Sequence, residues 1–297
     1  EPEIIEMLLQ APSLKINMKD KKNKTAIMHA FEYGVSKSVI QLFLLDQKFD
    51  PNQQDDRDQT PLMYALKNNI DPDIILMLLL DPRTTVNLVN ELQQNALMIA
   101  LKNKADANVI KAIINKFQAT NINEVDEEGL TALMYACIYN HSESTIQEIF
   151  KCSELKINQF DDDGNTALMH AVLNDASENF IQLLLDQPGI RINQKNDDKR
   201  TALILAVREK NEELVKKLLD SGADVTIKDK NGKTAEDYAK SSPKLLSLFN
   251  PPSEKASKRK SLILSHTSST QESQLKTQDN EPVLNNPVIS SKKNKAP

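Results

Sequence analysis

The chain has 297 residues, with 42 acidic against 37 basic side chains, 39% hydrophobic residues, 6 Gly, 2 Cys and no Trp. These totals describe an ordinary water-compatible polypeptide of one or two domains and exclude a disulfide framework; two cysteines fit a reducing compartment. The longest apolar runs, such as IILMLLL at 74 to 80, fall far short of the roughly 20 residues that cross a bilayer.

The first predicted element is an amphipathic helix within residues 1–16, EPEIIEMLLQ and onward. It has neither the basic leader nor the cleavage site of a signal peptide. It reads as the second helix of a truncated preceding repeat, so the chain is expected to begin within a longer protein. A hexapeptide of the form Thr-Ala-Leu-Met-x-Ala then recurs. It appears as TAIMHA at 25, TPLMYA at 60, NALMIA at 95, TALMYA at 131, TALMHA at 166, TALILA at 201 and TAEDYA at 234, at spacings of 35, 35, 36, 35, 35 and 33. A second marker keeps the same register, ending in Asn17, Asn52, Asn87, Asn123, Asn158, Asn193 and Thr226. Together they predict units at 17–51, 52–86, 87–122, 123–157, 158–192 and 193–225, and a capping unit at 226–250. Each unit reads as a short helix after the Thr motif, a second helix ending in a leucine cluster, and a polar hairpin turn. In the hairpins Asp, Asn and Gly supply the positive-φ positions. Helices this short are marginal alone, so stability has to come from stacking one pair on the next. Residues 251–297 lose the period, are rich in Ser, Thr, Lys, Asn and Gln, and read as a disordered tail.

With these residues in view, the chain resembles the ankyrin-repeat family, whose unit of about 33 residues carries a β-turn, two helices and a TPLHxA-type signature. The resemblance covers residues 1–250 and is strongest over LLDSGADVTIKDKNGKTAEDYA at 218–239. It implies an all-α solenoid of stacked helix pairs with β-turn fingers. Two departures stand out. Repeats before the sixth are lengthened to 35 or 36 residues by a longer exit from the second helix, and Met28, Met63, Met98, Met134 and Met169 stand where the family usually has His. Helical spacing beside leucine assigns these methionines to core packing rather than to a soft metal strip.

No residue set converges on chemistry. His29 and His170 share one repeat position with Tyr64, Tyr135 and Ile99 and read as structural variants. Cys137 and His141, four apart, invite a thiol–imidazole reading, but Cys137 follows the motif alanine and reads as packed. DDDG at 161–164 lacks the further oxygen ligands of a calcium loop and is a hairpin turn. The chain also has no Gly-rich phosphate loop and no zinc-type cysteine pair. No catalytic residue, metal or cofactor is expected, and the protein is not expected to be an enzyme.

What the resemblance implies instead is partner binding on the concave side, through hairpin tips and the exposed ends of the first helices. The tips carry Lys21 and Lys22, Asp56 and Arg57, Glu91 and Leu92, Glu127 and Glu128, Asp162 and Asp163, Asp197 and Asp198, and Lys230 and Asn231. Three consecutive tips thus present paired acids, an acidic stripe roughly 20 Å long able to steer a basic partner. Beside them the helix ends carry the apolar Ile138, Tyr139 and Leu173, a candidate hot spot. The tail holds 8 basic and 4 acidic residues, net +4, which leaves 29 basic and 38 acidic, net −9, for residues 1–250. That acidity argues against nucleic acid as a partner. KASKRKS at 255–261 has the form of a nuclear-localisation patch or a basophilic-kinase site at Ser257 or Ser261, but four basic residues read more simply as a solvated tail. The expectation is a monomeric, cytoplasmic, non-catalytic scaffold that docks a protein, basic partners included, on its concave face, with no membrane insertion. The alternatives are the targeting module of an enzyme whose catalytic domain lies upstream, or an effector that an intracellular microbe delivers to host cytosol; a nuclear site is disfavoured.

Overall fold

The computed structural model describes residues 15–34, 36–117 and 122–250. Most of the helix expected within 1–16, and the whole tail at 251–297, lie outside them. The described residues form paired helices. The first of each pair, on the inner side, are α1 (Ala26–Tyr33), α3 (Pro61–Lys67), α5 (Ala96–Lys102), α7 (Ala132–Ile138), α9 (Ala167–Leu173), α11 (Ala202–Arg208) and α13 (Ala235–Ala239). The second, on the outer side, are α2 (Lys37–Leu45), α4 (Pro72–Leu80), α6 (Ala107–Lys116), α8 (Glu143–Phe150), α10 (Glu178–Leu185), α12 (Glu212–Asp220) and α14 (Pro243–Phe249). Inner helices pack on inner helices and outer on outer from one unit to the next, giving two layers and no sheet, only isolated β-bridges such as Val125 with Thr131.

The hexapeptide explains each inner helix. Its first residue is the N-cap: the side chains of Thr60, Asn95, Thr131, Thr166, Thr201 and Thr234 each accept from the backbone N–H three residues on, satisfying a donor the helix cannot use. The methionine at the fourth position is buried in all five units, as expected of core. In three of them it has a second contact: the backbone N–H of Thr25, Thr60 and Thr131 lies 3.4 Å from the sulfur of Met28, Met63 and Met134, a soft version of the reciprocal cap that Glu or Gln usually supplies. The final alanine is fully buried at Ala65, Ala100, Ala136, Ala171 and Ala206. Inner helices then end on a left-handed residue, Asn69, Lys104, Asn140, Asp175 or Lys210. The N–H one residue further on returns to the carbonyl of that alanine, as from Ile70 to Ala65 and His141 to Ala136, a Schellman-type stop that turns the chain into the outer helix.

The second sequence marker ties the start of a unit to its end. Asn17, Asn52, Asn123 and Asn158 each bridge to the exit of the outer helix in their own unit: Asn158 Nδ2 donates to Gly189 O at 2.8 Å and its Oδ1 accepts from Arg191 N–H at 2.8 Å, and Asn123 does the same with Glu154 and Lys156. Asn193 keeps half of the pattern, accepting from Asp224 N–H. We expect Asn158→Ala to remove the two hydrogen bonds that tie the start of its unit to the end and lower the unfolding free energy by about 1–3 kcal/mol. Urea denaturation followed by circular dichroism checks this, and an unchanged midpoint contradicts it.

Candidate partner-binding surface

The fingers are built on one repeated residue. Asp20, Asp55, Asn90, Asp126, Asp161 and Asp229 each place Oδ1 against two backbone N–H groups, two and four residues on. With this cradle the residue between them takes the left-handed region, at Asn23, Asp58, Gln93, Gly129, Gly164 and Gly232, as does Lys199, where Asn196 accepts from Arg200 N–H. Asp, Asn and Gly were expected there; Gln93 and Lys199 were not, and at both the base of the finger is Asn. Glycine is needed at 129 and 164 for a further reason, because a Cβ there would stand 2.9 Å from Asp162 N and 2.8 Å from Asp197 N of the following finger. Fingers are stitched in series by backbone bonds, Glu127 N–H to Leu92 O, Asp162 to Glu128, Asp197 to Asp163 and Lys230 to Asp198, at 2.9–3.1 Å.

The second oxygen of the finger-base acid reaches the inner helix. Tyr64, Tyr135 and Tyr238 donate their hydroxyls to Asp55, Asp126 and Asp229 at 2.6–2.7 Å, and the imidazoles of His29 and His170 meet Asp20 and Asp161 at 2.9 and 2.7 Å. The histidines are therefore structural, as their register implied. Burial and the adjacent carboxylate push the Tyr64 hydroxyl up to about 12 and raise that of Tyr135 further, so both stay protonated donors.

Around unit four this framework shapes a hollow of about 350 Å³, lined among others by Leu92, Lys102, Glu127, Glu128, Leu130, Tyr135, Ile138 and Tyr139. Its floor is aromatic: Tyr139 stacks on Tyr135 with centroids 6.0 Å apart and planes at 11°. In three other units the residue equivalent to Tyr139 is Asn68, Asn103 or Asn174, whose side chain donates back to the helix carbonyl four residues earlier. Tyr139 gives up that cap. Of the expected site residues, Ile138, Tyr139, Glu127 and Glu128 therefore share one hollow. Leu173 does not join them; it is 39% exposed and lines a separate hollow with Val172, Asp175 and residues 209–213. Asp162, Asp163 and Asp197 are exposed at the next tips. Among the described residues none of Glu127, Glu128, Asp162, Asp163 and Asp197 has a salt-bridge partner, whereas Asp198 pairs with Arg200 at 2.6 Å and Lys230 at 3.7 Å. Leu92, Leu130 and the 85% exposed Tyr33 were missed as apolar contributors. Tyr33 holds the same repeat position as Tyr139, which was the available signal.

Towards the N-terminal end a matching hollow of about 410 Å³ is lined by Lys22, Lys24, Glu32, Asp56, Arg57, Tyr64 and Lys67. Burial opposes the charge of Lys24, but Glu32 and the Tyr64 hydroxyl outweigh that and raise its pKa to about 12; its Nζ also lies 5.1 Å from the centre of the Tyr64 ring. The finger tips are thus mixed in sign in the first units, acidic in units four to six, and basic again at Lys230.

The two residues that invited a thiol–imidazole reading do different work. Cys137 is fully buried and burial raises its thiol pKa, which keeps it in the unreactive form. Its position is occupied elsewhere by Leu66, Leu101, Val172 and Val207, all buried, so the site is broadly apolar rather than reserved for small side chains. His141 Nε2 donates to Leu101 O at 2.7 Å, linking units three and four. Three acidic, cysteine or histidine side chains that could hold a metal are not found together among the described residues, and no helix among them is long and apolar enough to cross a membrane.

Comparison with known proteins agrees with this architecture. A family profile described as "Ankyrin repeats (3 copies)" matches at residues 1–90, 62–161, 97–196, 143–229 and 179–245, and the chain belongs to the ankyrin-repeat family. The crystal structure of the ankyrin repeat domain of Bcl-3, a member of the IkappaB protein family, is similar at a TM-score of 0.64 and 24% identity, over 78% of this chain and 100% of that one. EF0377, an ankyrin repeat protein, is similar at a TM-score of 0.58 and 29% identity, over 64% of this chain and 96% of that one. No curated protein matches. Ankyrin repeats generally mediate protein–protein interaction, and members of the family are typically non-catalytic modules.

Burial holds the His141 pKa below the ordinary value of 6.5, with Lys104 adding to the effect and the bond to Leu101 opposing it. The unfolded chain therefore takes up this proton first on acidification. The contribution of neutral His141 is fully present above pH 6.5 and is lost as pH falls from there towards its folded pKa. Between about pH 7.5 and about pH 5.5, His141→Asn should lose less stability than the unaltered chain, read as the change in urea midpoint. Parallel losses in the two proteins would contradict the assignment.

Proposed function

We propose that the chain is a non-catalytic scaffold that docks a segment of another protein along its concave side, over units four to six. The observation that carries this is the hollow at Tyr139. A stacked aromatic floor lies beneath Glu127 and Glu128, with the carboxylates of Asp162, Asp163 and Asp197 continuing along the tips and no cation of the described array neutralising them. An apolar anchor rimmed by unpaired charge suits a partner that brings a hydrophobic side chain flanked by lysine or arginine. The anchor supplies residence and the charges supply approach and register. The preorganised fingers keep the ordering cost on the array small, because their backbone bonds are already made. Leu173 lies outside this hollow and serves at most as an accessory contact.

The test compares the intact chain with two variants, Tyr139→Ala and the reversal Glu127→Lys, Glu128→Lys, Asp162→Lys, Asp163→Lys. A further reversal on the outer helix, Lys216→Glu with Lys217→Glu, is the control. With all four proteins folded by circular dichroism, affinity capture with quantitative mass spectrometry should show partners recovered by the intact chain and the control but lost from the first two. Capture by the intact chain should also weaken as salt is raised. Equal recovery by all four overturns the placement of the surface.

A further inference from the structure

We propose that the groove has an occupant within the chain itself: the segment Lys255–Leu264 lies along units six to four, with its basic residues against the acidic tips and Leu262, Ile263 and Leu264 on the floor at Ile138 and Tyr139. This rests on the docking surface proposed above and names its first ligand. Three observations converge. The first is chemical order. Reading from Asn250 the sequence is PPSEKASKRKSLIL, that is, one acid, then four bases, then three apolar residues. Reading back along the groove from unit seven, the tips are Lys230, then Asp197, then Asp162 and Asp163, then Glu127 and Glu128, and finally the hollow with Leu92, Leu130 and Tyr139. Glu254 meets the basic tip, the bases meet the acids and the aliphatic cluster meets the aromatic floor, in one direction and without reordering.

The second is reach. Stacked helices stand about 10 Å apart, so unit four is roughly 30 Å from unit seven, and crossing one helix layer brings the path to about 35 Å. The twelve residues from Asn250 to Leu262 span at most roughly 40 Å, enough to reach Tyr139 with little slack. Lys255 and Lys260, five and ten residues out, reach at most roughly 16 and 33 Å, which covers the tips of units six to four. The third is the exit. In earlier units the chain leaving the outer helix runs directly into the next finger, as from Asp220 at the end of α12 to the finger at Asp229. By the same register Asn250, which follows α14, stands on the side of unit seven from which a finger would start. Paired acids that find no cation among the described residues are what such an arrangement leaves on the array when the segment is away.

The chain has no tryptophan, so Leu264→Trp in the full chain is a single reporter on the segment. If the segment docks, the Trp emission is blue-shifted and shielded from acrylamide. Both signals should be independent of protein concentration and lost on adding Glu127→Lys, Glu128→Lys, Asp162→Lys and Asp163→Lys. Reversing the segment instead, with Lys255→Glu, Lys258→Glu, Arg259→Glu and Lys260→Glu, should free the Trp and raise partner capture by the groove. A fully quenchable Trp in the otherwise unaltered chain overturns the proposal, as does a shift indifferent to the tip charges. A shift that grows with concentration assigns the groove to a second copy and overturns it too. Capture is scored separately: if it still depends on the tips and Tyr139 while the Trp is solvated, self-docking fails and the partner surface stands.

Discussion

Everything in this solenoid hangs on the short polar side chain at the base of each finger. With one oxygen it holds the hairpin turn closed through two backbone N–H groups, and with the other it fixes the finger to the inner helix. A carboxylate can be placed in so enclosed a position only if donors surround it. The units obey this pairwise. Asp55, Asp126 and Asp229 face tyrosine, and Asp20 and Asp161 face histidine, nine residues on. Where the inner helix offers Ile99 or Leu205 instead, the finger base is Asn90 or Asn196, which carries no charge and has its own amide to donate. Asn90 donates to Gln94, whose amide reaches across to the Tyr135 hydroxyl, and Asn196 donates to Asn165 of the preceding unit. The acid and its donor are lost together, which is what a desolvation constraint demands.

The consequence for function is that the groove's chemistry follows from its scaffolding. A unit with an Asp base needs an aromatic donor on the inner helix, and that ring becomes the groove floor. Tyr135 is held by Asp126 and Gln94, so Tyr139 can stack upon a ring that does not move. The finger-to-finger backbone bonds then hold successive floors in register, with helices of one unit packed on those of the next. Rigidity is thus built by repetition of short-range contacts rather than by one central core, and the array presents a surface whose ordering cost is met before any partner arrives.

The repeat length, the helix pairs and the buried faces were legible because periodicity reports burial directly: the Thr, Met and Ala positions of the hexapeptide each have one physical task, repeated. The Asn marker was legible as a pattern but not as a mechanism, since its bonds reach 31 to 33 residues along the chain to the far end of the same unit. Turn chemistry misled at Gln93 and Lys199, where the cradle formed by Asn90 and Asn196 overrides the reluctance of ordinary residues to take a positive φ. Sequence register placed Ile138 and Tyr139 beside Glu127 and Glu128, and the four line one hollow. It could not separate Leu173 from them, because equivalent positions on successive helices face different neighbours once Tyr139 is exchanged for Asn174 and the next turn brings Glu209–Glu213 alongside. It also counted Asp198 with its neighbours, though the cation two residues on, Arg200, folds back on it.

The net charge of −9 on residues 1–250 is a poor guide to what this surface selects. At physiological ionic strength charges are screened over about 8 Å, which is close to the spacing of one unit from the next. A docked segment therefore responds to the tip beside it and hardly at all to tips two units away. The relevant quantity is the order of tips along the groove: Lys21 and Lys22, Asp56 and Arg57, Glu91 and Leu92, three acidic pairs, then Lys230 and Asn231. An extended ligand meets these one at a time, and shifting it by one unit at the junctions between acidic and basic tips replaces attraction with repulsion. On the proposed docking surface, a stacked array in which every unit shares one backbone can in this way hold a partner in a single direction and register.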